Sequence, residues 1–375
     1  MDKWFLKVDI NDADGRRSGA HAGIVTCRMM QGDSPLEEWG DKEHQTISGR
    51  KRNMTIRTTL TATVATAAIA TAGAAFADGH SPMRIGITQN NVGVDSYQTT
   101  YEQAFIAAAE ANDNVEVVVL DAGGDVARQI AQMEDLIQQE VDAIIIWPTN
   151  GEAVIPAVRK AAQADIPVVV TNSNIAEAGF DFVASFSGPD NITQGSRSAE
   201  IMCDRFKALG IENEAQVVQI SGQPGYTTAI ERAKGFEDRL PEVCPNVTLV
   251  ETQPGDWNRE KSQQVMEAFL VKYDDIDGVY AGDDNMGVGA LNAANAAGRT
   301  EGITFVGATN FAVGYEAMER GEYWGSIYQS PVDDAEAALK TAIDLLNGEE
   351  LPFLNYFDTP KITQDNMSEF TKPVF

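Results

Sequence analysis

From Met83 to Leu346 the sequence alternates short apolar runs with longer amphipathic ones. Short apolar runs bounded by turn residues suit strands buried on both faces, while apolar residues every three to four positions suit helices lying over them. Residues 84–88 read as a strand, 97–111 as a helix, 115–120 as a strand, 126–139 as a helix and 143–147 as a strand. A helix over 153–164 and strands over 167–171 and 182–185 follow. The rhythm then starts again, with helices over 193–209, 227–240, 259–272, 287–297 and 315–320 separating strands over 216–220, 248–252, 278–281 and 304–307. Repeated βαβ units require parallel sheets covered by helices on both faces. The predicted class is therefore α/β, with two Rossmann-like lobes that each carry a parallel sheet. The last strong helix, 332–346, comes late enough to return to the first lobe and make the hinge a multi-strand crossing.

The residues ahead of this body are of another kind. Residues 54–77 open with Met54 and Arg57, run through an uncharged Ala, Thr, Leu, Val and Ile segment, and end in Ala75-Phe76-Ala77. That small-x-small ending is the pattern a signal peptidase reads. A signal peptide cleaved near Ala77 is expected, with a mature, periplasmic chain from Asp78. The segment is too rich in Ala and Thr to supply the apolar core of a membrane-spanning helix. Residues 1–53 show no sustained period and mix charges of both signs, so they read as a leader from a start assigned too far upstream. A cytoplasmic extension before an anchor is the alternative.

From Asp78 onward there are 18 basic and 47 acidic side chains, a balance that argues against any nucleic-acid partner. His21, His44 and His80 all precede Met83, so the body has no histidine. Ser-His-Asp hydrolysis, Cys-His chemistry and histidine-ligated metals are removed together, and no enzyme, cofactor or metal is expected. Cys203 and Cys244 have no metal-ligand spacing; an oxidising compartment would let them pair as a disulfide if the fold brings them together.

In open parallel sheets, ligands bind beyond the carboxyl ends of the strands. The residues just after the predicted strands are 89–97, 147–150, 172–174, 221–226, Asp256 and Trp257, Asp283 and Asp284, Thr309 and Asn310, and Gln329. They combine aromatics, amides and carboxylates, with no cation except Arg232 one turn into a helix. Aromatic faces cover C–H surfaces and the polar groups supply directed hydrogen bonds, which together suit a small polyhydroxylated solute. Adjacent Asp283 and Asp284 point in different directions, so one is expected to face the ligand and the other to cap the next helix. Gly287-Val288-Gly289 matches a dinucleotide turn poorly, because Asn292 stands at the third glycine position.

These residues resemble the exported sugar-binding proteins of bacterial ABC importers, in the group that includes ribose-binding protein. The stretches that carry the likeness are Ile146-Trp147-Pro148-Thr149-Asn150, 164–168, Gly235-Phe236, Gln253-Pro254-Gly255-Asp256-Trp257, 282–290 and 325–331, and it covers nearly all of 83–372. The resemblance implies two lobes joined by three crossings near Ser185, Ser330 and Asp358. The first lobe would be 83–185 with 331–358, the second 186–330 with 359–375. Tyr97 falls where the ribose binder stacks a Phe, Trp257 on another aromatic wall, and Gln329 on the hinge-side amide. Trp147 replaces an Asn, Asn172 and Ser173 replace an Asp-Arg pair, Ile230 stands where a sugar-clamping Arg is expected, Asp283 takes an Asn position and Thr309 an Asp position.

A pocket without both arginines and with an added aromatic is not one for ribose. The expected function is periplasmic capture of a small neutral polyol or monosaccharide by a monomer that delivers it to an ABC permease. The expected ligand set is Tyr97, Trp147, Asn150, Asn172, Trp257, Asp283, Thr309 and Gln329. Rival readings are a sensory adaptor presenting its ligand to a chemoreceptor or kinase, and an aromatic cage for a quaternary amine.

Overall fold

A computed structural model describes residues 81–375; the leader and signal-peptide readings lie outside the described residues. In the first lobe, β1 (Met83–Gln89), β2 (Val115–Asp121), β3 (Ala143–Ile146), β4 (Val168–Thr171) and β5 (Ser185–Pro189) alternate with α1 (Ser96–Glu110), α2 (Val126–Gln138) and α3 (Ile155–Gln163). The second lobe begins with α4 (Asn191–Leu209), β6 (Gln216–Ser221), α5 (Thr227–Val243), β7 (Thr248–Pro254) and α6 (Arg259–Lys272). It continues through β8 (Gly278–Ala281), α7 (Asp284–Ala296), β9 (Thr304–Val306), α8 (Ala312–Glu319) and β10 (Gly325–Ile327). The chain then returns to the first lobe through α9 (Pro331–Leu346) and β11 (Leu354–Phe357), and crosses back with β12 (Lys361–Thr363).

The sheets have the orders β11-β5-β4-β3-β1-β2 and β12-β10-β9-β8-β6-β7. Every pairing between these strands is parallel except β10 with β12. Strand order reverses between β1 and β3 in one sheet and between β6 and β8 in the other, and such switch points open a crevice at the carboxyl ends. Apolar side chains on both faces of each sheet form the cores: Ile144 and Ile146 pack under α2 and α3, while Ile85, Ile87 and Ile145 pack under α1 and α9.

The first crossing comes at Asp190, after Pro189, rather than near Ser185. Residues 177–182 coil into a 3-10 turn, and the strand begins only at Ser185. Ser185-Phe186-Ser187-Gly188-Pro189 is wholly buried yet mostly small or polar, so its strand character comes from its neighbours β4 and β11. The other two crossings fall at 328–330 and 358–360, on either side of α9 and β11.

Helices α4 and α5 pack backbone to backbone through two glycines. A Cβ at Gly195 would strike the main-chain oxygen of Arg232, and one at Gly235 that of Ile192, so only glycine permits this approach. The same pair is joined by a disulfide between Cys203 and Cys244, whose Cα atoms are 5.8 Å apart. At a sequence separation of 41, chain-entropy reasoning puts the stabilisation at about 4 kcal/mol. Replacing both cysteines by serine is expected to lower the urea midpoint by the equivalent of a few kcal/mol; an unchanged midpoint would show that the close helix packing suffices.

Candidate functional site

The carboxyl ends of the two sheets face each other across a partly open cavity of about 40 Å³. Its apolar wall consists of Tyr97 and Trp147 from the first lobe and Tyr226, Trp257 and Phe311 from the second. The first lobe adds Asp95, Gln98 and Asn172, the second adds Thr228, Arg232, Asp283 and Thr309, and Gln329 sits at a crossing. The lobes have met. The Trp147 indole N–H donates to the Tyr226 hydroxyl, and the Asn191 amide donates to the main-chain oxygen of Asn172 at 3.2 Å.

The loops that hold these residues are tightly turned. Asn172, Asp256, Trp257, Thr309 and Asn310 all have positive φ, and Thr309 reaches 86°. A β-branched residue in that region is strained, and such strain persists only where surrounding structure over-determines it. The cleft loops are thus rigid presenters of Trp257 and Thr309.

Asn150 alone of the eight predicted ligand residues does not line the cavity. Its Oδ1 accepts from the main-chain N–H groups of Glu152 at 3.1 Å and Ala153 at 2.9 Å, holding the turn that leads into α3. Nor do the adjacent aspartates divide their tasks as expected. Asp283 both lines the cavity and caps α7, accepting from Met286 N at 2.6 Å. Asp284 is buried and accepts from Phe311 N at 2.9 Å and Ser326 Oγ at 2.7 Å, tying the start of α8 to β10.

The expectation of a pocket without arginine is overturned. Ile230 is 55% exposed, whereas Arg232 is 4% exposed and lines the cavity. Two residues along a helix amount to about 200° of rotation, so the pair face opposite ways. Arg232 Nε donates to Gln194 Oε1 at 2.8 Å, Nη1 to the Gly282 carbonyl at 2.8 Å and to Thr309 Oγ1 at 3.0 Å, and Nη2 to Gln329 Oε1 at 3.0 Å. A fixed guanidinium in the wall repels a second cation, which removes the premise of an aromatic ammonium cage.

Asp95 and Tyr226 also line the cavity from within the strand-end stretches 89–97 and 221–226, though neither belongs to the expected ligand set, whereas Gln98, Thr228 and Phe311 lie outside those stretches. For Asp95 a signal was present, an aspartate just ahead of an amphipathic run at a strand end, the signature of an N-cap. Its Oδ1 accepts from Gln98 N at 2.9 Å. Behind the cavity, Asp334 of α9 is fully buried, and its Oδ2 accepts from Tyr97 Oη at 2.9 Å and Asn172 Nδ2 at 2.5 Å. Gln329 Nε2 donates to the same Tyr97 hydroxyl at 2.7 Å, so two cavity residues are oriented by one network.

Burial pushes the Asp95 carboxyl up to about 6 and those of Asp283 and Asp334 up to about 7. For Asp283 the opposing Asp95 adds to the rise, while the Met286 N–H and the charge of Arg232 hold it back. A carboxyl raised above its unfolded value near 3.9 keeps a proton in the fold that the unfolded chain releases, so stability falls as pH rises through the window between the two values. The melting temperature of the closed protein is therefore expected to decline from about pH 4 to about pH 7. A rise over that window would mean that these groups ionise freely.

Comparison with known proteins agrees with this fold. The periplasmic binding protein domain matches residues 85–350. A xylitol-binding protein of Mycolicibacterium smegmatis is 30% identical over 285 residues, covering 76% of this chain and 78% of that protein. The ribose import binding protein of Bacillus subtilis is 32% identical over 237 residues, covering 63% and 73%. Among solved structures, an ABC transporter solute binding protein from Bacillus halodurans with bound myo-inositol superposes with a TM-score of 0.71 at 26% identity, covering 78% of this chain and 98% of that one. The chain belongs to the periplasmic binding protein family, as a member of its ribose-binding-protein-like group.

Proposed function

We propose that this protein captures a small neutral polyol or monosaccharide between its lobes and delivers it to an ABC permease. The observation that carries the reading is the cavity itself, in which aromatic side chains from both lobes surround buried carboxylates, amides and one arginine with four of its five N–H groups engaged. Hydroxyl groups both donate and accept, so a polyol can satisfy the carboxylates and the Arg232 side of the wall at once, which neither an amine nor a carboxylic acid can. Tyr97, Trp147, Asn172, Trp257, Asp283, Thr309 and Gln329 are the proposed contacts, joined by Asp95 and Arg232. Solute touching both lobes favours the closed arrangement by its differential affinity, and the closed surface is what the permease engages. The names of the xylitol and ribose binders and the bound myo-inositol of the structural relative support the ligand class.

The test is a thermal-shift panel of neutral polyols, monosaccharides, amino acids and quaternary amines, followed by calorimetry on the compounds that stabilise. A polyol or sugar as the strongest stabiliser is the expected result. Stabilisation by amino acids or amines alone would overturn it.

A further inference from the structure

The segment after β12 runs back along α8 toward the cleft. Tyr315 Oη of α8 donates to the Met367 carbonyl at 3.1 Å, Lys372 pairs with Glu319 at 2.9 Å, and the main-chain oxygen of Phe375 accepts from Ala312 N at 2.7 Å. All these anchors belong to the second lobe. The Phe375 ring does not. Its centroid lies 5.8 Å from that of Phe311 in the second lobe and 5.7 Å from that of Tyr97 in the first, edge-on at 87°. Tyr97 and Phe311 are themselves 6.3 Å apart, so the three rings close a triangle across the lobe boundary. Val374 beside it is 93% exposed, whereas the Phe375 ring is turned inward and half-buried.

We infer that Phe375 is a positioning residue for solute retention, an aromatic latch carried by the second lobe that holds Tyr97 of the first lobe in place from outside the cavity. Both of its ring partners are cavity-lining residues that are 3% exposed, and the hydroxyl of Tyr97 is the meeting point of Asp334 and Gln329. When the lobes part, Phe375 must leave Tyr97, and the apolar contact between them returns to water. The Tyr97 contact thus weighs on the closed state alone, while the Phe311 contact persists when the lobes part, so loss of the ring speeds release beyond any effect on the second lobe itself. The inference rests on the lobe closure of the proposed function, and not on the identity of the solute.

The test compares the full chain with its Phe375→Ala and Phe375→Leu variants, using xylitol and myo-inositol as probes. An aromatic edge contact of ordinary strength corresponds to roughly 3- to 10-fold in dissociation rate. The alanine variant is expected to release a bound probe faster by about that factor, with leucine intermediate and only a small fall in the ligand-free melting temperature from the lost Phe311 contact. Small-angle scattering of the ligand-free alanine variant is expected to show a larger radius of gyration than the parent. Unchanged release and an unchanged radius would overturn the latch, and so would a lowered ligand-free melting temperature with unchanged release, which marks a merely structural residue. If neither probe binds, the polyol reading suffers and the scattering comparison alone decides the latch.

Discussion

Replacing Arg232 by methionine is expected to weaken solute capture at least 100-fold, an order-of-magnitude figure for breaking a buried charged network. Methionine keeps much of the apolar length and flexibility of the stem, so packing against the glycine-mediated contact of α4 and α5 should survive. What disappears is the donor to Gln194, Gly282, Thr309 and Gln329. Gln329 Oε1 still receives the Gln194 amide at 2.9 Å, but the Gly282 carbonyl and the Thr309 hydroxyl lose this donor. Leaving a buried neutral acceptor without its donor costs about 1–3 kcal/mol, so the two together reach about 2–6 kcal/mol, and each 1.4 kcal/mol is tenfold in affinity. The loss is felt in the closed form, because Gln329 lies at a crossing and links the guanidinium to Tyr97 of the other lobe. The charge also matters, since Arg232 moderates Asp95, Asp283 and Asp334, with Arg259 assisting only at Asp283. Lysine in its place should recover only part of the affinity, because one ammonium cannot span acceptors arranged around a planar fork. Calorimetry with the strongest stabiliser of the parent protein checks this, and binding by the methionine variant within threefold of the parent would reduce Arg232 to scaffolding.

Much of the architecture was legible because buried parallel strands leave a plain mark. Ala143-Ile144-Ile145-Ile146 and Val168-Val169-Val170-Thr171 are covered on both faces and are apolar nearly throughout. Strand β5 carried no such mark, because Ser185, Ser187 and Gly188 are buried by virtue of their small size beside α9 and β11. At the site, the aromatics at strand ends were readable, since strand ends and loops are where ligands meet α/β sheets. Arg232 stands out in the sequence as the one cation near the strand ends, but choosing between Ile230 and Arg232 as the inward residue depends on the rotation of α5 about its own axis. That rotation is set by Gly195 and Gly235 at the contact with α4, a tertiary fact. Asp334 was invisible for a stronger reason: it stands 162 residues from Asn172, to which it bonds, and only the return of α9 to the first lobe brings them together.

Asp334→Asn should separate stability from capture, raising one and lowering the other. At neutral pH the native protein bears the cost of a carboxyl that burial has pushed up to about 7, with Oδ1 making no hydrogen bond among the described residues. An amide has no charge to desolvate, so the variant is expected to be more stable than the parent by on the order of 2 kcal/mol at pH 7.5 and about equal to it at pH 4. The sign follows from linkage: the parent loses stability between about pH 4 and pH 7 as the unfolded chain alone ionises, and the variant does not. Capture should move the other way. The asparagine oxygen is a weaker acceptor for Tyr97 Oη and Asn172 Nδ2 than a carboxylate that shares its charge with them, so both cavity residues are held more loosely. A loss of roughly tenfold in affinity is expected, the size of one charge-assisted hydrogen bond reduced to a neutral one. Urea denaturation at the two pH values, with calorimetry at pH 7.5, reads both effects. A variant destabilised at both pH values would show that the carboxylate is a net support of the fold; one that binds as tightly as the parent would show that Tyr97 and Asn172 keep their places without it. A residue that costs stability at the working pH yet sharpens the cleft is what selection for capture, rather than for the fold, would retain.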